Sequence, residues 1–385
     1  MYDFNMCIST DIHFGRDAEK ETGRLMAKYA DSVLILYGSE RIYRDGLGGK
    51  LEKYLEKESC SVCRLGGVKP NADSAKIDEA VDMVRRRNIN GILAVGGGSV
   101  IDTAKAVAVS ACSEAPAVEI FRGIAEPGLC LPVGVVLTNA ATGSEANPTA
   151  VIADQVNGEK LLFSDQRMRP KFAILDPALT LSVPAATTAA GGFDIFSHAF
   201  ERYFDLTRDS LLLDQMTEGV MRTVANVLPR TIQDPGNYQF RAELMLAATV
   251  AHSDMIGPGG DFACHSVSHV MTEVFGIDHG AALAMIIPAW CEVMRDLHPE
   301  RFDQFFRNVF GADTFGEGME KLREFVRSIG LSETMGNKQN ITPEELADMT
   351  VGEGKFAGAG YAALTREQAV KIYGRMLAED KEQTA

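Results

Sequence analysis

Short strand-like apolar runs alternate with helical stretches in the first half of the chain, and strand patterns are missing from the second half. The runs are SVLILY (32–37), GILAV (91–95), LPVGVVL (131–137) and FAIL (172–175). Between the first two runs, residues 74–88 place Ile77, Ala80, Val81 and Val84 along one stripe of a helix. Strands separated by helices in this way predict a parallel sheet with crossover helices, and therefore an α/β fold.

The strand pattern stops after the segment DPALTLSVP, in which Pro177 and Pro184 break regular structure. From there, helical patterns continue to the C-terminus. A chain of 385 residues also exceeds the size at which one hydrophobic core usually stops growing. We therefore predict two domains, an α/β domain over residues 1–180 and an all-helical domain over residues 181–385.

Charge and hydropathy exclude several classes of partner. The 53 acidic and 38 basic residues give a net charge of −15, which would repel nucleic acid. The longest apolar run, residues 281–291, is too short for a membrane span and contains Pro288. The segment MYDFNMCIST has neither a basic start nor an apolar signal core, so we expect a cytosolic protein with reduced thiols.

A glycine turn follows the second apolar run. Gly96, Gly97 and Gly98 precede Ser99 and a helix predicted over 103–111, and we expect Ser99 to cap that helix with Asp102 completing a capping-box-like pair. Such a turn lets backbone amides approach a pyrophosphate, although an isolated GGGS is as often a simple tight turn. A second polar turn, TNAATGS (138–144), also follows a strand, so both turns should meet at one sheet edge and bind a nucleotide.

The end of the first apolar run bears on which nucleotide binds. The fingerprint GxGxxG with a later acidic residue is absent. Gly38 and Ser39 leave room for a 2′-phosphate that Arg41 could pair with, whereas Glu40 would suit a free ribose hydroxyl. We favour NADP(H) over NAD(H).

Histidines are concentrated in the second half, where five of the seven lie between residues 198 and 279. Asp194 and His198 stand four apart on a predicted helix, as do His265 and His269, and His279 follows at a loop-to-helix junction. Three imidazoles and one carboxylate suit iron(II) or zinc. Spacing leaves open which histidine is spare, and we expect a fifth, His252, to be structural.

Several ordered motifs carry a resemblance that spans nearly the whole chain. They are FGRDA, LYGSERIYRDG, GVKPNAD, LAVGGGSVID, LTNAATGSEAN, FAILDPALT, GGFDIFSHAFERYF and GIDHGAALA. With these motifs the chain resembles the iron-containing (group III) alcohol dehydrogenases, in particular their butanol dehydrogenase and broad-range aldehyde reductase branch. The resemblance implies an N-terminal dinucleotide-binding domain and a C-terminal helical metal-binding domain, a fold shared with the dehydroquinate synthases.

The resemblance also implies roles for single residues. Asp194, His198, His265 and His279 match the metal ligands, and His269 matches the unliganded histidine near the nicotinamide. The expected cofactor contacts are Gly38, Ser39, Gly97, Gly98, Ser99, Asp102, Thr138, Asn139, Thr142, Lys160 and Leu179. Asn139 stands where an apolar residue or threonine is commoner in the family, and YGSE replaces a frequent GGGS after the first strand.

The expected activity is hydride transfer between the nicotinamide and a short-chain aldehyde or alcohol whose carbonyl oxygen is held on the metal. His269 would relay a proton, or alternatively orient the metal ligands. Phe193, Phe196, Phe262 and Met255 could line the substrate pocket, although ordinary helical core is the favoured interpretation. We expect a homodimer.

Two other functions remain open at this point. A sugar-phosphate cyclase or lyase of the dehydroquinate synthase type would need basic residues to bind its anionic substrate, but residues 193–200 and 261–284 contain no Lys or Arg. A non-catalytic nucleotide-binding regulator would bind NAD(P)H without turnover.

Overall fold

The computed structural model describes residues 3–206, 209–337, 339–352 and 355–377. Packing divides the chain into two compact units, one formed by Cys7–Ser182 and the other by Val183–Ala385 together with Met1–Met6. The strands of the first unit are β1 (Asp11–Phe14), β2 (Ser32–Tyr37), β3 (Ser61–Leu65), β4 (Gly91–Gly96), β5 (Val133–Leu137), β6 (Thr149–Asp154), β7 (Glu159–Ser164) and β8 (Phe172–Leu175). Its helices are α1 (Thr22–Met26), α2 (Arg41–Arg44), α3 (Leu47–Lys57), α4 (Ser74–Arg86), α5 (Gly98–Ser110) and α6 (Ala117–Phe121).

Six strands form one parallel sheet in the order β1-β8-β5-β4-β2-β3, and β6 and β7 form a separate antiparallel hairpin. The register sets Tyr37 of β2 opposite Val95 of β4, and Gly96 of β4 opposite Leu137 of β5. The carboxyl ends of these three strands are therefore level. The predicted parallel α/β sheet is confirmed, and the turns that follow β2, β4 and β5 meet at one edge.

The four apolar runs of the sequence are the four inner strands, β2, β4, β5 and β8. Their residues are almost all buried because helices cover both faces of a parallel sheet. The outer strands β1 and β3 mix polar with apolar residues and are partly exposed. Edge strands of this composition lack a clear apolar pattern, and the sequence did not reveal them.

Helix α4 has the predicted stripe. Ile77, Ala80, Val81 and Val84 are buried, and the side chain of Asp73 caps the helix by accepting from the backbone N–H of Ala75 at 2.8 Å. Helix α5 lies deeper and is buried on nearly every side from Val100 to Ser110. The crossover helices therefore hold the glycine turn firmly at the end of β4.

The second unit is helical throughout its described residues, as the sequence predicts. Its helices are α7 (Ala185–Tyr203), α8 (Leu211–Gln233), α9 (Tyr238–His252), α10 (Ala263–Phe275), α11 (His279–Met294), α12 (Pro299–Phe310), α13 (Phe315–Ser328), α14 (Pro343–Thr350) and α15 (Arg366–Met376). Helix α7 packs against α8, α9 and α11 and is buried from Thr188 onward. No helix in the described ranges has the length and hydropathy to cross a membrane.

Candidate metal centre and cofactor-binding edge

Helix α7 presents three acidic or imidazole side chains along one buried face. Asp194, His198 and Glu201 follow one another at intervals of four and three residues, which places them one above the other on a helix. All three are at least 96% buried. Charged groups at this depth require partners, because desolvation penalises an isolated charge strongly.

Helix α10 begins beside this face in an unusual backbone conformation. Phe262, the residue before the helix, lies in the left-handed region with φ 53°. Asp261 accepts the backbone N–H of Ala263, and Glu201 of α7 accepts those of Cys264 and His265. The first amide groups of the helix are thus satisfied by two buried carboxylates. This arrangement fixes where His265 stands relative to α7.

His279 is the first residue of α11 and comes close to α7 because a glycine follows it. A Cβ on Gly280 would collide with the carbonyl oxygen of Ala190, one turn of α7 before Asp194. Only glycine allows the two backbones to approach so closely. The sequence GIDHG therefore delivers the His279 imidazole to the same carboxylate that His198 and His265 face.

The three imidazoles surround one oxygen. The Nε2 atoms of His198, His265 and His279 lie 3.8, 3.6 and 3.6 Å from Oδ1 of Asp194. Ligands of a tetrahedral zinc ion, bound at about 2.0–2.2 Å, stand about 3.3–3.6 Å from one another. Oδ1 of Asp194 and Nε2 of His265 are buried and have no hydrogen-bond partner among the described residues. The ligand atoms of Asp194, His198 and His265 all lie within 4.8 Å of one another, so these three residues fit a divalent metal ion, and His279 reaches the same carboxylate.

Electrostatics at the cluster follow from burial and close opposite charges. Burial drives the pKa of His198 well below its usual value, so this imidazole is neutral. Burial would also lower the pKa of His265, but the carboxylates of Glu201 and Asp194 outweigh it and raise that pKa to about 10. Burial opposes ionisation of Asp194, yet the neighbouring histidines hold its pKa below the usual value. The cluster thus favours a cation between Asp194 and the imidazoles.

Two polar residues that the sequence analysis did not single out contact the Nδ1 atoms of the histidines, on the side of each ring away from Asp194. Glu201 accepts from Nδ1 of His265, and the Ser268 hydroxyl lies 2.9 Å from Nδ1 of His279. Ser268 donates its own proton to the carbonyl oxygen of His265 at 2.7 Å, so its oxygen accepts from His279. Glu201 stands seven residues after Asp194, and Ser268 stands three residues after His265. Both spacings put the two residues on one face of a helix, so the sequence pattern could have indicated Glu201 and Ser268.

The other histidines of the second unit have different surroundings. His269 lies one turn beyond His265 on α10, is partly exposed, and its ring centroid is 5.6 Å from that of His279. His252 at the end of α9 stacks on His198 with ring centroids 3.9 Å apart. Phe193 and Phe196 are fully buried among other aromatic rings and belong to the core, whereas Phe262 lies 5.4 Å from the His265 ring.

The glycine turn of the first unit differs from the prediction at its cap. Helix α5 begins at Gly98, with Gly97 at the cap position and no side-chain cap. The predicted capping box of Ser99 and Asp102 is wrong, because the helix starts five residues earlier than expected and both residues lie inside it. The open helix end with two glycines leaves backbone N–H groups accessible, which is the arrangement that binds phosphate.

The second turn packs directly on the glycine turn. A Cβ on Gly98 would collide with the side chain of Thr142, and one on Gly97 would press on Asn139. Thr138 continues from β5 and donates its backbone N–H to the carbonyl of Gly96 at 3.0 Å. The structure thus brings together the glycine turn and the residues of TNAATGS at one sheet edge.

Asp102 and Lys105 tie α5 to the neighbouring turn and hairpin. Asp102 accepts from the Ser144 hydroxyl at 2.6 Å and from the backbone of Val151 at 3.1 Å. Lys105 is fully buried and donates to Ser144, Asn147 and the carbonyl of Thr149. Burial lowers the pKa of Lys105 to about 8. This network fixes the positions of the elements around the glycine turn.

The remaining expected cofactor residues are spread around the unit. Gly38 and Ser39 follow β2, whose end lies level with the end of β4. Lys160 is on β7 of the hairpin, and Leu179 is in a short 3-10 turn after β8, partly buried against the core. The loop after β3 also reaches this edge, where the backbone of Asn71 donates to the Ser99 hydroxyl at 3.2 Å.

Comparison with known proteins identifies the family. Residues 9–177 match the iron-containing alcohol dehydrogenase family, and residues 188–377 match the C-terminal region of the Fe-containing alcohol dehydrogenase family. The chain is 34% identical to the probable NADH-dependent butanol dehydrogenase 2 of Bacillus subtilis, over 92% of this chain and 91% of that protein. It is 33% identical to the NADPH-dependent aldehyde reductase YqhD of Escherichia coli, over 86% of this chain and 88% of that protein.

The fold agrees with these relationships. The crystal structure of NADH-dependent butanol dehydrogenase A from Thermotoga maritima superposes with a TM-score of 0.91 at 30% identity, covering 98% of this chain and 99% of that one. The family resemblance predicted from the motifs and the predicted fold class are both confirmed. The chain belongs to the iron-containing alcohol dehydrogenase family, and it is a metal- and nicotinamide-dependent alcohol dehydrogenase of the branch that contains butanol dehydrogenases and aldehyde reductases.

Proposed function

We propose that this enzyme reduces short-chain aldehydes with NADPH, using a metal ion held by Asp194, His198, His265 and His279. One observation carries the proposal, namely that three imidazole Nε2 atoms lie 3.6–3.8 Å from a single buried carboxylate oxygen. The matching family supplies the reaction class, and the relatives supply the substrate class, because butanol dehydrogenases and an aldehyde reductase are among them.

The residues of the chain would share the work as follows. When bound, the metal supplies a Lewis acid for the carbonyl oxygen, and the nicotinamide supplies hydride. The four ligands hold the metal, and the amide groups at Gly97 and Gly98 hold the cofactor pyrophosphate together with Ser99. His269 carries the proton that the alkoxide product requires, since its imidazole is partly exposed and stands next to His279.

The charge of the site supports an uncharged substrate. No Lys or Arg occurs in residues 193–200 or 261–284, so the segments that carry the ligands offer no cation for a phosphate or carboxylate. The Phe262 ring beside His265 supplies an apolar surface. A short aliphatic aldehyde such as butanal meets both conditions.

The preference for NADP(H) rests on the turn after β2. Glu40, the only carboxylate of that turn, accepts a hydrogen bond from the Tyr37 hydroxyl at 2.7 Å and is thereby a poorer acceptor for a ribose hydroxyl. Arg41 begins helix α2 directly after that turn and is exposed, with its Nε 3.0 Å from Asp45 and its Nη2 donating to the carbonyl oxygen of Ser182 at 3.2 Å. Surface ion pairs of this kind are weak, so the guanidinium could turn to a 2′-phosphate.

A homodimer completes the proposal. The sheet ends at β1 on one side and β3 on the other, and neither strand has a second partner among the described residues. Unpaired strand edges favour association with another copy. Light scattering of the purified protein would give its mass directly.

The first experiment is an assay of butanal reduction after removal of metal with a chelator. The stripped protein is reloaded separately with iron(II) and with zinc, and oxidation of NADPH and of NADH is followed by absorbance. Activity that returns only with metal supports the proposal and decides between iron and zinc. Binding of NADPH without turnover under either metal would contradict it.

The ligand assignment is tested in the same assay by His265→Ala and His279→Ala. Each variant should lose bound metal and activity together, because each removes one of four ligands. His298→Ala is the matched control, since that histidine is half-exposed and lies outside the cluster. Retention of metal and activity by both ligand variants would refute the ligand set.

A further inference from the structure

Glu201 makes three hydrogen bonds that all serve the segment carrying His265. One carboxylate oxygen accepts the backbone N–H groups of Cys264 at 2.6 Å and His265 at 3.3 Å, and the other accepts from Nδ1 of His265. The side chain is 1% exposed, and among the described residues its only ion pair is with His265. A buried carboxylate requires partners, and the hydrogen-bond partners of the Glu201 side chain lie at the start of α10.

We infer that Glu201 is a positioning residue for the metal, which holds the proton of His265 on Nδ1 and thereby keeps Nε2 free to bind the ion. The inference rests on the ligand set proposed above. An imidazole donates from one nitrogen and binds metal with the other, so the partner of the first decides the state of the second. Nε2 of His265 is the atom that points at Oδ1 of Asp194, at 3.6 Å.

The helix cap alone does not account for a glutamate at this position. One oxygen accepts the two backbone N–H groups at the start of α10, and the second accepts from the imidazole. Nδ1 of His279 by contrast contacts the neutral Ser268 hydroxyl. His265 thus has an anionic partner, which makes its opposite nitrogen a better donor to a cation.

A glutamine at this position separates the two roles of the carboxylate. In Glu201→Gln the amide oxygen can still accept the backbone N–H groups of Cys264 and His265, so the start of α10 stays capped. The amide NH2 group then faces Nδ1 of His265 as a donor, which forces the imidazole proton onto Nε2. Nε2 can then bind metal only if the proton moves back to Nδ1, which breaks the hydrogen bond from the glutamine amide.

The test measures cobalt(II) binding to chelator-stripped protein by the visible absorption of the bound ion. Glu201→Gln should raise the Kd for cobalt by about 10–100-fold, the usual effect of removing the outer partner of a metal-binding histidine. Thermal unfolding of the metal-free variant should stay within a few degrees of the wild-type protein. Glu218→Gln is the control, because Glu218 is equally buried but contacts Gln304 and Asn308, and it should leave the Kd unchanged.

The outcomes separate this inference from the ligand assignment. A Kd of Glu201→Gln within twofold of wild type, or an equal loss in Glu218→Gln, overturns the inference. If His265→Ala binds cobalt normally, the ligand set itself is wrong. If His265→Ala loses cobalt while Glu201→Gln does not, only the role of Glu201 fails.

A measurement on the unaltered protein guards against misfolding of the variant. In the zinc-loaded enzyme, a long-range 1H–15N NMR spectrum should show His265 with its proton on Nδ1 and metal on Nε2. The signal is assigned by its loss in His265→Asn. Zinc bound through Nδ1 would overturn the inference regardless of how Glu201→Gln behaves.

Discussion

Gly280 and Ala190 bring two helices of the second unit into direct backbone contact. The hydrogen at the Cα of Gly280 faces the carbonyl oxygen of Ala190, and no heavier atom fits between them. Because Gly280 follows His279 and Ala190 precedes Asp194 by one turn, this contact sets the spacing between two proposed metal ligands. The spacing of these two proposed ligands thus depends on the absence of a side chain at Gly280.

Gly280→Ala should move α11 away from α7 and weaken metal binding. We expect a loss of about 1–3 kcal/mol in the free energy of unfolding, typical of overpacking, together with a raised Kd for cobalt. Gly316→Ala is the control, since that helical glycine in α13 has open space around it. Urea unfolding and cobalt titration check both effects, and equal behaviour of the two variants would contradict the role of the close contact.

His269→Ala should lower kcat while leaving the metal in place. His269 is proposed to carry a proton, and general acid catalysis by such a group contributes about 10²–10⁴-fold. Metal content measured by atomic emission should match wild type, which distinguishes His269 from the ligands. Loss of metal in this variant would instead make His269 an orienter of the site.

Arg41→Ala should weaken NADPH binding without affecting NADH. Loss of a charge-assisted contact to the 2′-phosphate corresponds to about 1.5–3 kcal/mol, or at least tenfold in the KM for NADPH. Arg44→Ala, on the same short helix and also exposed, is the matched control. An equal change for both cofactors, or the same change in Arg44→Ala, would show that Arg41 does not read the 2′-phosphate.

Asp261 should make stability depend on pH in the neutral range. Burial raises the pKa of Asp261 from 3.8 to about 7, so between these values the folded protein keeps a proton that the unfolded chain has released. The free energy of unfolding of wild type should therefore fall, relative to Asp261→Asn, as pH rises from about 4 to 7, by on the order of 3 kcal/mol. Urea unfolding of the metal-free proteins at pH 5 and 8 measures this difference, and parallel curves would contradict it.

The sequence predicted the inner sheet and the helical unit because burial on both faces leaves continuous apolar runs. The strands SVLILY and FAIL have the predicted bounds, Ser32–Tyr37 and Phe172–Leu175. The outer strands were not predicted, because Arg64 in β3 and Asp11 in β1 face solvent at the edges of the sheet. An apolar run in the sequence reflects burial on both faces of a strand, and an edge strand, which is only half-buried, does not produce one.

The sequence could predict those parts of the candidate site that lie on one helix. Asp194 and His198 could be paired from their spacing, but the approach of His265 and His279 depends on tertiary contacts such as the one at Gly280. Glu201 lies on the same face as Asp194, yet its partner is 64 residues away on another helix. The predicted cap of α5 was wrong for a local reason. Three consecutive glycines are all conformationally permissive, so the sequence does not show at which of them the helix begins.

The backbone conformation of Phe262 links the proposed metal site to the folding of the helical unit. A left-handed phenylalanine is unfavourable on its own, and it persists only because Glu201 and Asp261 hold the residues that follow it. An ion that binds both His198 and His265 closes a loop of chain that contains all of α8 and α9. Binding of the ion would therefore cross-link two distant segments of the helical unit. Loss of the ion would lower the stability of that unit as well as the activity.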